Sequence, residues 1–485
     1  MLIISYFCVM AFLKETAKNI ESIFTEWSGE SPAEINPLPG SGSIRSYFRV
    51  KGKSKKAIAA YNPDKKENES FIYLSHHFYS KGLNVPEIYA FRNELNLYLI
   101  EDLGDDILFD RIMAEKNNLT SGTKELIKSS LRSLAELQLR GSRGIDFSKC
   151  YPRPRFDAQS IQWDLEYFKY HFLKIFDIPF DEQKLENDFQ SLKNMLLQAG
   201  HQYFMHRDFQ SRNIMIKNNT PCFIDYQGGR KGPLQYDLVS FLFQVRAEFP
   251  WVFKMEMIDY YKQELSKWIK VSGKDFDHEL FLLAYLRLMQ VFGAYGYRGI
   301  IQNKNHFLMS IPFALKALEE LRRKVELPGN LPELRKIYNY MLHIQTGMPI
   351  QKMESEKLQL SISSFSFKHG TPKDYTGNGG GYVFDCRALP NPGRIEKYKS
   401  FDGKDHAVIQ YLQEFAEVET FIKKCHDLVN ISIRNYLERG FRHLSVSFGC
   451  TGGQHRSVYC AEQLYRLLKK DSRLKLNIYH NELKD

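Results

Sequence analysis

His206-Arg207-Asp208-Phe209-Gln210-Ser211-Arg212-Asn213, with Asp225 twelve residues beyond Asn213 in Phe223-Ile224-Asp225-Tyr226-Gln227, is the stretch on which the fold turns. An Asp, an Asn five residues on and a second Asp behind an apolar pair supply what magnesium-assisted phosphoryl transfer requires. Asp208 is the candidate that orients an attacking hydroxyl and accepts its proton. Asn213 and Asp225 offer the hard oxygen ligands that Mg²⁺ prefers over nitrogen or sulfur. His206 and Arg207 are read as braces of the loop. A lone His-Arg-Asp triplet says little; the full set at this spacing is specific.

Upstream, apolar spacing divides the chain. Residues 14–29 repeat at helical spacing, and Pro37-Leu38-Pro39-Gly40-Ser41-Gly42-Ser43 breaks the pattern. Ser46-Tyr47-Phe48-Arg49-Val50 and residues 56–61 read as strands about a Gly/Lys turn, 67–81 as a helix, and 84–90 and 95–104 as further strands. From 121 to 202, and again from the motif to about 345, the pattern is mainly helical. A strand-rich lobe at about 30–104 therefore precedes a helical lobe at about 105–345, and a nucleotide cleft is expected between them. Gly40 and Gly42 let backbone N–H groups approach phosphates, and Ser41 and Ser43 add donors. Glu101, in Glu101-Asp102-Leu103-Gly104, falls where an interlobe hinge meets adenine. The bland alternatives are a flexible linker for the first segment and a strand exit for the second.

The totals fit two or three folded domains: 485 residues, 43% hydrophobic and 14% aromatic. A mean hydropathy of −0.41 argues against a membrane protein. A net charge of +10 suits a nucleotide, a sugar phosphate or RNA without selecting among them, and suits a solvated basic surface as well. The seven cysteines are scattered with no CxxC pair, which points to reduced thiols in a cytoplasm. Residues 1–13 are apolar but lack a basic n-region and a cleavage pattern. They read as an artefact, with Met10 an alternative start, or as the start of a packed helix, rather than as a secretory signal.

On these motifs, residues from about 14 to 345 resemble the aminoglycoside/choline phosphotransferase family. His-Arg-Asp, the Ser46–Val50 strand, Asn84-Val85-Pro86, Leu99–Gly104 and Ile224–Gln227 are similar to its bacterial N-acetylmuramate/N-acetylglucosamine anomeric kinase branch. That resemblance implies an α+β bilobal protein-kinase-like domain, ATP and Mg²⁺ as cofactors, and transfer to the 1-hydroxyl of an amino sugar during cell-wall recycling. It also makes Asp237 structural support. One departure stands out: the strand equivalent to the usual Val-Ala-Ile-Lys runs Ala57-Ile58-Ala59-Ala60-Tyr61 without its lysine. Lys55, Lys56 or Arg45 is left to supply the phosphate charge, with Glu67 or Glu69 as a partner; the two acids otherwise read as dipole-favoured surface residues at a helix start. Asp157, Asp164 and Glu166, and more weakly Gln290, Tyr295 and Arg298, are substrate-side candidates against a reading as solvated helix residues.

Past a polar linker at 346–358, the pattern becomes strand, glycine-rich loop, strand, helix, which is the signature of a small α/β domain over 359–485. Its second constellation is Gly449-Cys450-Thr451-Gly452-Gly453-Gln454-His455-Arg456-Ser457, between an apolar strand and a helix. Free N–H groups and the helix dipole make an anion cradle there, and Arg456 adds a planar fork. Cys450 to Ser457 are the anion-binding candidates. The Cys-x5-Arg-Ser spacing is also that of cysteine phosphatases, with Asp385 or Asp402 as conceivable acids.

Residues 360–485 resemble the RapZ C-terminal domain through Phe365–Gly370, Tyr382–Arg387, Leu389–Pro392, Gly449–Ser457 and Ala461–Leu464. The resemblance implies binding of an amino-sugar phosphate or a nucleotide sugar and, in some members, RNA. A kinase-like region stands where that family has a Walker-type domain. The tail at 478–485 lacks the basic cluster expected for RNA, and residues 361–485 carry only 19 Lys/Arg against 14 Asp/Glu. The expectation is an ATP-dependent amino-sugar kinase, with no membrane partner, joined to a metabolite-binding domain. The alternative is an RNA-binding adapter with a degenerate kinase lobe, using Lys368 and Arg387.

Overall fold

The computed structural model describes residues 2–38, 45–116, 118–200, 202–302, 304–343, 357–372, 381–438, 441 and 443–483. Gly40, Ser41, Gly42 and Ser43, and the expected linker as far as residue 356, lie outside the described residues. The chain divides into two compact units, residues 1–294 with 310–344 and residues 295–309 with 345–485.

The first unit begins with helix α1 (Leu2–Ser28), which covers one face of an antiparallel sheet. Its strands are β1 (Glu34–Pro37), β2 (Ser46–Lys51), β3 (Lys56–Tyr61), β4 (Ile88–Arg92) and β5 (Leu97–Ile100), in the order β1-β2-β3-β5-β4. Strand alternation sorts the two faces. Val50, Ala57, Ala59, Leu97 and Leu99 pack with Ile20, Ile23 and Phe24 of α1. Tyr47, Ala60 and Tyr98 stand opposite one another across β2, β3 and β5 on the other face. Helix α2 (Lys65–Tyr79) is capped by Asp64, which accepts from Glu67 N at 3.2 Å. Phe71 of α2 lies 5.3 Å from the Tyr98 ring and 5.1 Å from that of Tyr226, so α2 ties the sheet to the second motif. The strand expected at 84–90 starts only at Ile88, because Asn84 gives its carbonyl to Phe223 N at 2.9 Å instead of to the sheet.

The helical lobe contains α3 (Leu108–Ala114), α4 (Ser121–Leu139), α5 (Ala158–Phe168), α6 (Glu182–Leu197), α7 (Leu234–Leu242), α8 (Trp251–Ser266), α9 (Gly273–Gly296), α11 (Ile311–Lys324) and α12 (Pro332–His343), while the short α10 (Asn305–Leu308) belongs to the second unit. With the strand-rich lobe, this gives the α+β bilobal kinase-like architecture. The stretch Gly273–Ile301 is long and apolar enough to cross a membrane by composition, but 67% of its most apolar window is buried in the protein, as in a core helix. Two short ribbons carry the motif: β6 (Tyr203–Met205) with β9 (Arg230–Gly232), and β7 (Ile214–Lys217) with β8 (Thr220–Phe223). The β7–β8 turn is Asn218-Asn219, at φ 51° and 59°, the left-handed pair that a two-residue hairpin requires. The register Ile214↔Phe223 then brings Asn213 alongside Ile224, whose N–H bonds the Asn213 carbonyl at 3.1 Å.

In the second unit, β10 (Leu358–Ser366), β11 (Gly381–Asp385), β12 (His443–Cys450) and β13 (Leu474–His480) form a parallel sheet of order β11-β12-β10-β13. Helices α13 (His406–Gln413), α14 (Ala416–Glu438) and α15 (Arg456–Leu468) complete a small α/β domain. Its core gathers Leu360, Ile362, Val446, Phe448, Val429 and Leu464. Strand β13 was not expected from the sequence; Leu474, Leu476 and Ile478 alternate with polar residues and pair with β10.

Candidate active site and anion loop

The loop between β6 and β7 is built around Asp237 of α7, which is fully buried. Its carboxylate accepts from His206 N at 2.8 Å, Arg207 N at 2.8 Å and Gln138 Nε2 at 2.9 Å. Burial pushes this carboxyl above the ordinary carboxylate value, against the pull of His206 and the N–H donors. These bonds hold Arg207 at φ 75°, a conformation that costs a side chain about 1–3 kcal/mol. Asp225 is held at φ 64°. His206 Nε2 lies 3.0 Å from the Ile224 carbonyl, so the imidazole staples the two motifs together.

Asn213 Nδ2 donates to the Asp208 carbonyl at 2.8 Å and reaches Asp225 Oδ2 at 3.4 Å. Asn213 therefore joins the three candidate residues, Asp208 through its backbone and Asp225 through its carboxylate. Asp208 Oδ1 accepts from Arg287 Nη2 of α9 at 3.0 Å and from Gln210 Nε2 at 3.0 Å; Oδ2 accepts from Arg212 Nη2 at 3.0 Å. Burial raises the Asp208 pKa, but Arg212 and Arg287 outweigh it and hold the carboxyl at about 2. A third of its side-chain surface remains open at 33%, enough to meet a hydroxyl. Ser211 donates to Gln244 Oε1 at 2.7 Å behind the loop. There a cavity of about 410 Å³ opens between Phe243, Phe249 and Phe313, but it includes none of the three candidate groups.

Several sequence expectations are corrected. Asp157 caps α5, accepting from Ser160 N at 3.0 Å, and pairs with Arg153, so it is not free for substrate. Asp164 is buried against Arg207 at 2.9 Å. Glu166 accepts from Gln162 at 3.0 Å. Gln290 bonds Arg287, whose other nitrogen donates to Asp208; no local motif in the sequence marks Arg287. Tyr295 and Arg298 group with the second unit. Glu67 is no surface acid: it pairs with the buried Arg45 at 3.1 Å. Glu69 accepts from Asn93 at 2.9 Å. Lys55 lies over the Trp27 ring at 5.2 Å, and Lys56 pairs with Asp102 at 3.5 Å. Glu101 follows β5, donates its N–H to the Glu87 carbonyl at 2.9 Å and pairs through its side chain with Lys217 of β7.

In the second unit, the loop Cys450–His455 lies at the carboxyl edge of the parallel sheet, where α/β sheets bind ligands. Gly453 N donates to Cys450 Sγ at 3.2 Å, and Ser457 Oγ lies 3.1 Å from the same sulfur. Ser366 Oγ donates to the Thr451 carbonyl at 2.7 Å. Gly403 N donates to the Gln454 carbonyl at 2.9 Å, and Gly452 is exposed. Arg456 is buried, and its Nη1 is committed to the carbonyls of Arg387 at 2.8 Å and Leu389 at 3.1 Å; it braces the turn after β11 instead of projecting as a fork. His455 Nε2 lies 3.0 Å from the Tyr398 carbonyl. Asp385 is held by Arg387 at 2.6 Å, and Asp402 Oδ1 by Lys404 N at 2.6 Å. Lys368 N bonds Ser366 Oγ at 3.2 Å. Gly453 sits at φ 71° with Glu482 lying over it; a Cβ there would come 2.9 Å from Ser366 N. Gly453→Ala is expected to destabilise this domain by about 1–2 kcal/mol through the left-handed conformation alone. It is also expected to abolish any thermal protection by sugar phosphates; unchanged protection would exclude the loop as the site.

Residues 34–269 match the model of the phosphotransferase enzyme family, and residues 358–484 match that of the RapZ C-terminal domain. A nucleotide-binding protein of Clostridium kluyveri is 42% identical over 134 residues, 28% of this chain and 43% of that protein. Another, from Caldicellulosiruptor saccharolyticus, is 32% identical over 180 residues, covering 35% of this chain and 57% of the relative. The chain thus spans about half the length of the curated relatives it matches. Among solved structures, choline kinase LicA from Streptococcus pneumoniae aligns over 69% of this chain and 99% of its own, at 11% identity and a TM-score of 0.40. The gentamicin complex of APH(2")-IIa aligns over 61% and 95%, at 14% identity and a TM-score of 0.45.

Proposed function

We propose, for a chain that joins a domain of the phosphotransferase enzyme family to a RapZ C-terminal domain, that it transfers the terminal phosphoryl group of ATP to a hydroxyl of an amino sugar in the cytoplasm. The convergence of Asp208, Asn213 and Asp225 carries this reading. Asp208, kept ionised by Arg212 and Arg287, orients the acceptor hydroxyl and takes its proton as the O–P bond forms. Asn213 and Asp225 would hold Mg²⁺, which when bound neutralises the phosphate oxygens. Among the described residues no cluster of three His, Cys, Asp or Glu forms a ready-made metal site. One carboxylate and one amide still fit Mg²⁺, which keeps waters and substrate phosphates as its other ligands.

The acceptor we favour carries an acid group, as N-acetylmuramate does. What supports this is the charge around Asp208. Arg207 pairs with Asp164, Arg212 and Arg287 both pair with Asp208, and Arg230 adds a fourth positive charge close to Arg207. Burial first, and the neighbouring Arg207 second, pull the Arg230 pKa down to about 10. A polycationic antibiotic would be repelled there. Relative kcat/KM with N-acetylmuramate, N-acetylglucosamine and an aminoglycoside tests the reading: the expected order is acidic, then neutral, with the polycation inert. A preference for the aminoglycoside would overturn it. The C-terminal loop is assigned a phosphorylated sugar or a nucleotide sugar, on the strength of its position at the carboxyl edge of the parallel sheet.

A further inference from the structure

One arginine close to the motif loop is buried without an acid to pair with. Arg230 lies on β9 opposite Met205 of β6, so the ribbon that leads into His206-Arg207-Asp208 also carries this side chain. Only 4% of its surface is open. Its Nε donates to the Gly228 carbonyl at 3.1 Å, which uses one of the five N–H donors of a guanidinium; among the described residues its two Nη groups make no hydrogen bond. No carboxylate among those residues pairs with it either. Asp164, the acid whose charge reaches it, is committed to Arg207 at 2.9 Å, and Asp208 is bracketed by Arg212 and Arg287. Tyr236 stands in the same cluster, with Arg207 5.8 Å and Arg287 5.9 Å from its ring centre, and its buried hydroxyl has no hydrogen-bond partner. Arg207 and Asp208 keep part of their side-chain surface open, so solvent reaches this cluster. A buried charge without a partner weakens a fold, and an anion that arrives from outside accounts for it.

We infer that Arg230 anchors an oxyanion subsite for the acid group of the acceptor, a carboxylate held by the two unused Nη groups with the Tyr236 hydroxyl as a further donor. Resting on the phosphotransferase reading of Asp208, this subsite adds the residue that selects an acidic sugar over a neutral one. It binds and orients, and the proton transfer stays with Asp208.

The test is calorimetry with the full chain, using N-acetylmuramate, its methyl ester, N-acetylglucosamine, N-acetylglucosamine 6-phosphate, and ATP with Mg²⁺. The wild type is expected to bind the acid more tightly than the ester or the neutral sugar. Arg230→Met is expected to weaken the acid about ten- to a hundredfold and to leave the ester, the neutral sugar and ATP within about twofold of wild type. Arg230→Lys should recover part of the loss, and Tyr236→Phe should reproduce part of it. Urea unfolding controls for a structural role: with no ion pair to lose, Arg230→Met should be at least as stable as wild type. Equal affinity for acid and ester in the wild type, a preference for the 6-phosphate, undiminished acid binding in Arg230→Met, or a lower unfolding midpoint in that variant each overturns the subsite. Binding is read apart from turnover. A wild type that holds the acid through Arg230 yet phosphorylates no sugar sinks the proposed function and leaves the subsite standing. N-acetylmuramate turned over by Arg230→Met with an unchanged KM sinks the subsite alone.

Discussion

Asp208→Asn lowers turnover about 10²- to 10⁴-fold, the range expected when a positioned proton acceptor is lost, and leaves nucleotide affinity close to wild type. The amide keeps the shape of the side chain and its bond from Gln210, but it cannot take a proton from the acceptor hydroxyl. It also removes the anion that Arg212 and Arg287 bracket. The carboxyl has a folded-state pKa of about 2, below its ordinary 3.8. The sign follows: its ion pairs contribute stability above the ordinary value, and that contribution is lost as pH falls toward 2. At neutral pH the base is therefore always ready, and the rate loss in the variant reports the missing acceptor rather than a shifted titration. Rapid-quench single turnover, with circular dichroism as the fold control, separates the two halves of the expectation. An unchanged rate would remove Asp208 from the chemistry.

Asp237→Ala acts on the fold, and its effect is large for a different reason. The carboxylate is fully buried and accepts two backbone N–H groups and the Gln138 amide. Truncation strands these donors away from water, at an expected cost of about 3 kcal/mol or more. It also releases Arg207 from its left-handed backbone, and with it the approach of Asp208. Asp237→Asn, with a single acceptor oxygen, should fall between wild type and alanine. All four tryptophans, at 27, 163, 251 and 268, belong to the first unit, so urea unfolding followed by their fluorescence reads this unit alone. A midpoint unchanged in the alanine variant would mean that the loop is held by something other than Asp237.

Much of the candidate site was legible because its residues are close in sequence. Asp208, Asn213 and Asp225 lie within eighteen residues of one another, joined by a hairpin whose Asn218-Asn219 turn makes the register unambiguous. What escaped was non-local. Spacing left Glu67 open between a surface acid and a partner of Lys55, Lys56 or Arg45, because the cation arrives from a different element; the structure pairs it with Arg45. Asp157 and Asp164 read as sugar-binding candidates, yet one caps its own helix and the other neutralises Arg207. Neither role shows in spacing alone. Arg287 stood on an apolar helix with no local motif to mark it, although an arginine among so many aliphatic residues was a signal in itself. Arg456 read as an anion fork from its place after two glycines, whereas its Nη1 bonds the carbonyls that follow β11. Strand β13 carries only Leu474, Leu476 and Ile478 as alternating apolar residues, a weak local signal; its parallel pairing with β10 is what defines it.

The most direct measurement follows the terminal phosphorus of ATP. The full chain is incubated with Mg²⁺, N-acetylmuramate and ATP labelled in its γ-phosphate, and the label is located after one turnover. The account predicts label on the sugar, with one ADP formed for each sugar phosphate. Label found only in inorganic phosphate, or ATP left intact with every acidic and neutral amino sugar supplied, would contradict it.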